Sequence, residues 1–260
     1  MGIVNCTPDS FYSDSRNSTI EKQQKLIDLH VQNGATWLDI GGYSSRPGAT
    51  HISESEEIER IKFAVSYSLE TYPGIKISVD TFQSGVASYV LEQGVHLIND
   101  ISGGLVNPEI FSITAAHQVP YVLMHMRGTP QTMAQLNTYD NLLKEVIVEL
   151  GSQLEKARAA GLKDIVIDPG FGFAKNSVQN LELFAYLEAF QLFDCPLLVG
   201  ISRKSMIYKT LEIDAADSLN GTSVLNTIAL DKGANILRVH DVKEAVETVT
   251  LWSKTRGNYQ

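Results

Sequence analysis

Short apolar runs alternate with longer segments of helical period along the whole chain. The runs are "GIVN", "TWLDIGG", "KISVDT", "HLIND", "YVLMHM", "DIVIDPG", "LLVGIS" and "NILRVH", eight in all. Each is rich in Val, Ile and Leu, as strands covered on both faces tend to be. Between them, "SESEEIERIKFAVSYSLETYPG" opens on Ser53 with Glu56 three residues on, a capping box. Its Ile58, Ile61 and Val65 keep helical spacing, and Gly74 is the stop signal. "YDNLLKEVIVELGSQLEKARAAG" sets Leu142, Val146, Leu150 and Leu154 on one stripe, with Gly161 just past the end. A last helix begins near Asp241 and carries Val242, Val246 and Val249. Eight strands alternating with helices predict a parallel sheet with right-handed connections. About 250 residues is the usual length of an eight-fold β/α barrel. The chain is therefore predicted to be an α/β protein, a single eight-stranded parallel (β/α)8 TIM barrel, with residues 1–260 as one domain. The rival is an open doubly wound sheet of six or seven strands. The count of eight and the lack of a composition break favour the barrel.

Composition narrows the function. At 260 residues and 43% hydrophobic, the chain can bury a large core, and 20% charged residues without low-complexity stretches fit a globular chain. A net charge of −9 argues against a nucleic-acid-binding surface. No apolar run reaches the roughly 18 residues of a membrane span. The start has neither the basic nor the apolar region of a signal peptide. "MGIVNC" resembles a myristoylation start, but Cys6 stands where Ser or Thr is needed. Cys6 and Cys195, two isolated cysteines beside apolar segments, suggest packing roles and a reducing compartment, so a cytoplasmic location is expected.

Barrel active sites lie where strands end at their C-terminal edge. The runs end, in order, at Asn5, Asp39, Asp80, Asn99–Asp100, His125, Asp168, "SRKS" and Arg238–Val239–His240. Taken singly, an Asp or Asn there caps the next helix as readily as it binds a ligand. A full ring of polar ends is harder to explain by caps, because burying such groups costs free energy unless they pair. Arg238 and His240 are two apart and project to one side; so do Ser202 and Lys204 if the strand extends that far. Asp80, Asn99 and Asp168 suit a flat, donor-rich heterocycle. Asn5, Arg46, Lys204, Arg238 and His240 suit phosphate or carboxylate groups. The glycines of "DPGFGFAK" are a weak nucleotide signal and a better fit to a sharp turn. Neither zinc-ligand spacing nor G-x-S-x-G is present.

At this point the chain resembles the dihydropteroate synthase family. The matching segments are "MGIVNCTPDSF", "GATWLDIGGYSSRPGA", "ISVDT", "LINDI", "LMHM", "DPGFGFAKN", "SRKSM" and "RVHDV", running in family order from Met1 to Val242. The resemblance implies a β/α barrel enzyme that joins 6-hydroxymethyl-7,8-dihydropterin diphosphate to p-aminobenzoate in folate synthesis, releasing pyrophosphate, and that is a sulfonamide target. By motif, Asp80, Asn99, Asp168 and Lys204 match pterin-binding positions. Asn5, Arg238 and His240 match diphosphate-binding positions, with Asn5 also a Mg²⁺ ligand. Phe11, Ser45, Arg46, Pro47, Phe173, Lys204 and Ser205 match the p-aminobenzoate pocket and its loops. Lys204, Arg238, His240 and Asp80 are the implied catalytic set. The acidic residue beside the metal is Asp9 or Asp14. The family further implies a homodimer, with small-molecule substrates and neither nucleic acid nor membrane as partner. Tyr12 is an extra residue in the first loop. Tyr43 stands where many members have Glu, Ser45 where many have Thr, and Ala174 where Gly is common. Relatives carry a few residues ahead of the first strand, whereas this chain starts almost at it. The rival readings are a methyltetrahydrofolate–corrinoid methyltransferase and a non-catalytic pterin-binding protein. The "TPDSF", "SRKS" and "RVHDV" motifs speak against both.

Overall fold

The computed structural model describes residues 1–7, 16–44 and 50–257, with the side chains of 16–19 left aside. Strands and helices alternate: β1 (Gly2–Asn5), α1 (Arg16–Gln32), β2 (Trp37–Gly41), α2 (Glu54–Thr71), β3 (Lys76–Asp80), α3 (Ser84–Glu92), β4 (Leu97–Asp100), α4 (Glu109–Ala116) and β5 (Tyr121–Met124). There follow α5 (Leu142–Ala159), β6 (Ile165–Asp168), α6 (Ser177–Ala185), β7 (Leu198–Val199), α7 (Ser205–Leu211), α8 (Leu219–Asp231), β8 (Ile236–Leu237) and α9 (Val242–Thr255). All eight predicted strand positions are occupied. β4, β5 and β6 are buried at every residue, as their apolar runs require.

The strands pair in parallel and in sequence order, β1 to β6, with no reversal of the kind a doubly wound sheet contains. The expected single eight-stranded sheet is observed as a six-stranded sheet and a separate β7–β8 pair. β7 and β8 keep regular pairing for two residues each, between Pro196 and Gly200 on one and beside Asn235 on the other. Isolated parallel bridges at Ile167–Leu197 and Gly2–Val239 link the pair to both edges of the six-stranded sheet.

Strand parity divides the core in two. One face of the strands joins the helices in the main cluster, as with Leu38, Ile98, Leu123 and Ile167. The other face packs Leu97, Val122, Val166 and Leu198 together, with Met1, Trp37 and Ile236 against them. Two residues further on, toward the C-terminal ends of the strands, that same face carries Asn99, Met124, Asp168 and Gly200, and Asp39 and Arg238. The apolar layer is the floor, and the polar groups stand one layer above it.

Helix ends follow their local chemistry in part. Ser53 caps α2 by accepting from Glu56 N–H at 3.2 Å. The Glu56 carboxylate turns to Arg60 at 2.6 Å instead of closing the box. The α5 stripe Leu142, Val146, Leu150 and Leu154 is buried. On α9 only Val242 is buried; Val246 and Val249 stay 37% and 40% exposed. The helical period gave the stripe, but beyond the first turn α9 is covered only in part, through Ala245 and Trp252.

Candidate active site

A cavity of about 370 Å³ opens among the C-terminal ends of the strands. Asn5, Asp80, Phe173, Lys204, Ser205, Arg238 and His240 all line it. The β ladder explains the assembly: Asn5 pairs with Gly41, Gly41 with Asp80, and Asp80 with Asn99, so four strand ends stand in one row. Gly41 keeps that row open, since a Cβ there would come to 3.3 Å from the Asp80 Cβ.

Arg238 is the centre of the charge pattern. Its Nε donates to Asp39 Oδ2 at 2.6 Å and its Nη2 to Asp80 Oδ2 at 2.8 Å. Burial works against the cation, but the two carboxylates outweigh it and hold the guanidinium charged. Burial raises Asp80 above the ordinary carboxylate range, with Arg238 opposing and Asp39 reinforcing the shift. Asp39 also accepts from Ser78 Oγ at 2.5 Å and from Asn99 Nδ2 at 3.0 Å. Asn99 and Asp168 are buried and lie outside the cavity lining itself. Asn99 is linked to it through Asp39 and Arg238. Asp168 accepts from Gly170 N–H at 2.8 Å, on the same turn as Phe173. Burial raises Asp168 too, countered first by Lys204.

Lys204 reaches the cavity by a different route from the one the sequence suggested. β7 stops at Val199, so Ser202 and Lys204 are not strand residues. Arg203 takes a left-handed φ of 55°, which separates two adjacent cations. Arg203 turns to Asp241, with Nε–Oδ2 and Nη2–Oδ1 both 2.8 Å. Lys204 points inward, donates to Phe171 O, and lies 4.9 Å from the Phe173 ring centroid. Burial pushes Lys204 down to about 8. His240 bonds Ser202 Oγ through its backbone N–H at 3.2 Å and through Nδ1 at 3.1 Å, leaving Nε2 for a ligand. Burial, then the Arg238 charge, pushes it down to about 4, so the free imidazole is neutral.

Two strand-end residues belong elsewhere. His125 faces the helices, with Nε2 2.9 Å from Glu149, because parity gives the inward place on β5 to Met124. Asp100 likewise faces away from Asn99 and accepts from Ser102 N–H at 2.7 Å and Gly104 N–H at 3.0 Å. Phe11, Ser45, Arg46 and Pro47, with Asp9, Tyr12 and Asp14, lie outside the described residues. Tyr43 lines the cavity and packs edge-on to Phe82 at 4.7 Å. By position Asp39 is a strand end open to a capping role; in the structure it is a buried hub, of which its place between Leu38 and Ile40 is the sign in the sequence. Cys6 is buried and its thiol pushed up to about 12 by that burial, in keeping with a packing role.

The chain matches the pterin binding enzyme family over residues 1–240. It is 39% identical to the dihydropteroate synthase of Escherichia coli strain K12, across 100% of this chain and 94% of that protein. The chain belongs to the dihydropteroate synthase family. Family members of known structure superpose closely. The Yersinia pestis dihydropteroate synthase, solved with a sulfonamide drug complex, is 38% identical with a TM-score of 0.92, covering 99% of this chain and 94% of that one. The Xanthomonas albilineans dihydropteroate synthase, solved with 4-aminobenzoic acid, is 34% identical with a TM-score of 0.91, covering 98% and 92%.

Proposed function

We propose that the cavity joins 6-hydroxymethyl-7,8-dihydropterin diphosphate to p-aminobenzoate, giving 7,8-dihydropteroate and pyrophosphate. The chain is then a transferase of folate biosynthesis. The observation that carries this reading is the Arg238 guanidinium held by Asp39 and Asp80 in the cavity that Lys204 and His240 also line. A heterocycle with several N–H donors needs buried acceptors, and a diphosphate needs cations, within one molecule's length. Asp80, Asp168, Asn99 and Lys204 take the pterin. Asn5, Arg238 and His240 take the diphosphate. Phe173, Ser205 and the Lys204 stem bound the arylamine place, together with Phe11, Ser45, Arg46 and Pro47.

The bond between the pterin methylene and the diphosphate oxygen breaks, and the electron pair leaves with pyrophosphate. Arg238 and His240 meet the growing charge on the leaving group, where fixed donors lower the barrier most. Asp80 and Asp168 balance the positive pterin. The arylamine nitrogen attacks the methylene and gives up a proton. The reaction requires no enzyme nucleophile.

Mg²⁺ fits the donor set. It takes one or two protein oxygens and completes its shell with phosphate oxygens and water. Asn5 offers a carboxamide oxygen at the cavity wall. Asn5 would hold such an ion beside the diphosphate, where it would supply neutralisation of leaving-group charge.

The two linked sheets close as one eight-stranded barrel, favoured by the bridges at both edges. A second copy of the chain covers α6 to α9, where Val178, Leu211, Val224 and Leu251 are 74%, 51%, 50% and 69% exposed. The enzyme works in the cytoplasm, consistent with its unpaired cysteines. No helix among the described residues is long and apolar enough to cross a membrane.

The test is pyrophosphate release. It is expected only when the pterin diphosphate, p-aminobenzoate and Mg²⁺ are all present, and to be inhibited by a sulfonamide in competition with p-aminobenzoate. A folded sample that releases none under these conditions refutes the reading. Methyl transfer to a corrinoid would favour the rival enzyme.

A further inference from the structure

Lys175 has no place in the chemistry above, yet it is only 8% exposed and its ammonium meets three acceptors. These are His125 Nδ1 at 2.9 Å, Gly170 O at 3.0 Å and Phe173 O at 3.1 Å. An ammonium only donates, so His125 Nδ1 accepts and Nε2 carries the ring proton toward Glu149. Glu149 in turn accepts from Arg127 Nε at 3.0 Å. The chain Arg127–Glu149–His125–Lys175 therefore runs from α5 past the end of β5 into the turn between β6 and α6.

That turn has no regular pairing of its own. Gly170, Gly172 and Ala174 take positive φ of 69°, 84° and 49°. Lys175 binds two of its carbonyls from inside, and Tyr139 Oη donates to Ala174 O at 2.9 Å from outside. Gly172 and Phe173 line the cavity, and other groups of the turn hold its charged residues. Gly170 N–H holds Asp168, Phe171 O receives Lys204, and the Phe173 ring lies beside the Lys204 ammonium.

We propose that Lys175 is a positioning residue for the reaction: by pinning the β6–α6 turn to His125, it sets where Lys204, Asp168 and Phe173 meet the two substrates. This rests on the reading of the cavity given above. Burial lowers Lys175 to about 7, with the Asp168 carboxylate opposing.

The experiment is a double-mutant cycle on the full chain. kcat/KM is measured for the parent, Lys175→Met, Lys204→Ala and the double variant, with melting temperatures alongside. Lys175→Met is expected to lose about 30-fold or more in kcat/KM alone, but under about threefold when Lys204 is already Ala. The drop in melting temperature is expected to be equal in both backgrounds, so the coupling is not a stability effect. Equal activity losses in the two backgrounds, or parent-like turnover in Lys175→Met, overturn the proposal. If Lys175→Met does not fold, Lys175→Arg decides. It keeps the charge but replaces a tetrahedral donor by a planar fork, and a loss coupled to Lys204 is expected again; additivity there overturns the proposal. An active parent with an uncoupled variant refutes this inference alone. An inactive parent refutes the reading of the cavity, and this inference with it.

Discussion

Burial shifts both Lys204 and His240 toward the neutral form. For Lys204, at about 8, Asp168 opposes the shift and Arg238 adds to it. Below pH 8 the ammonium is present in the free enzyme, and above it the charge is lost. kcat/KM for the pterin diphosphate is therefore expected to fall by about tenfold per pH unit above 8. Lys204→Arg should move that limb out of range, since a guanidinium does not titrate there. Lys204→Ala is expected to lose about 10² or more in kcat/KM, about 3 kcal/mol of transition-state binding, with the fold retained. Parent-like turnover would put the cation outside the chemistry. For His240, at about 4, the sign is opposite in use. A diphosphate beside the ring favours the imidazolium, so pyrophosphate binding takes up a proton and tightens as pH falls toward 6. Calorimetry at pH 6 in two buffers of different ionisation heat reads the uptake directly, and His240→Asn should abolish it. No uptake by the parent would remove His240 from the anion's contacts.

At the scale of the element, the β6–α6 turn bears the tightest constraint. A Cβ on Gly170 would come to 1.9 Å from His125 O, at a φ of 69°. Gly170→Ala is expected to cost about 2–4 kcal/mol, read as a fall of about 5–10 °C in melting temperature, with turnover lost because Asp168 loses its N–H partner geometry. A variant that melts with the parent would mean the turn is free to move. This element also marks how far the pattern of residues could be read. Period-2 parity placed Arg238 and His240 together, because two residues on one face need no further information. Taking the last polar residue of the fifth run as the strand end puts His125 in the ring, where Met124 stands. Lys204 was the right residue by the wrong path: the strand ends early, and the left-handed Arg203 swings the next side chain inward. Lys175 gave no periodic signal, since its partners are carbonyls of a turn whose shape is set by tertiary contacts. Asp39 was legible only as an acid among apolar neighbours; its three partners come from β3, β4 and β8.

At the scale of the whole molecule, several large apolar side chains stay exposed on neighbouring helices in a chain with a net charge of −9. α6, α7, α8 and α9 pack side by side, and their outer faces expose Val178, Leu211, Val224, Ile228 and Leu251. Like charge opposes self-association, so a dimer must draw its stability from apolar area, and added salt should strengthen it by screening the repulsion. A two-fold interface is self-complementary, so every substitution on it counts twice. In the proposed dimer, Val224→Glu with Ile228→Glu would place four carboxylates at the interface, at sites outside the cavity lining. Light scattering of the parent is expected to give twice the 28.6 kDa chain mass, and of the double variant the mass of one chain, with helical content unchanged. A parent that runs as a single chain at micromolar concentration and high salt would leave these side chains without the partner assigned to them.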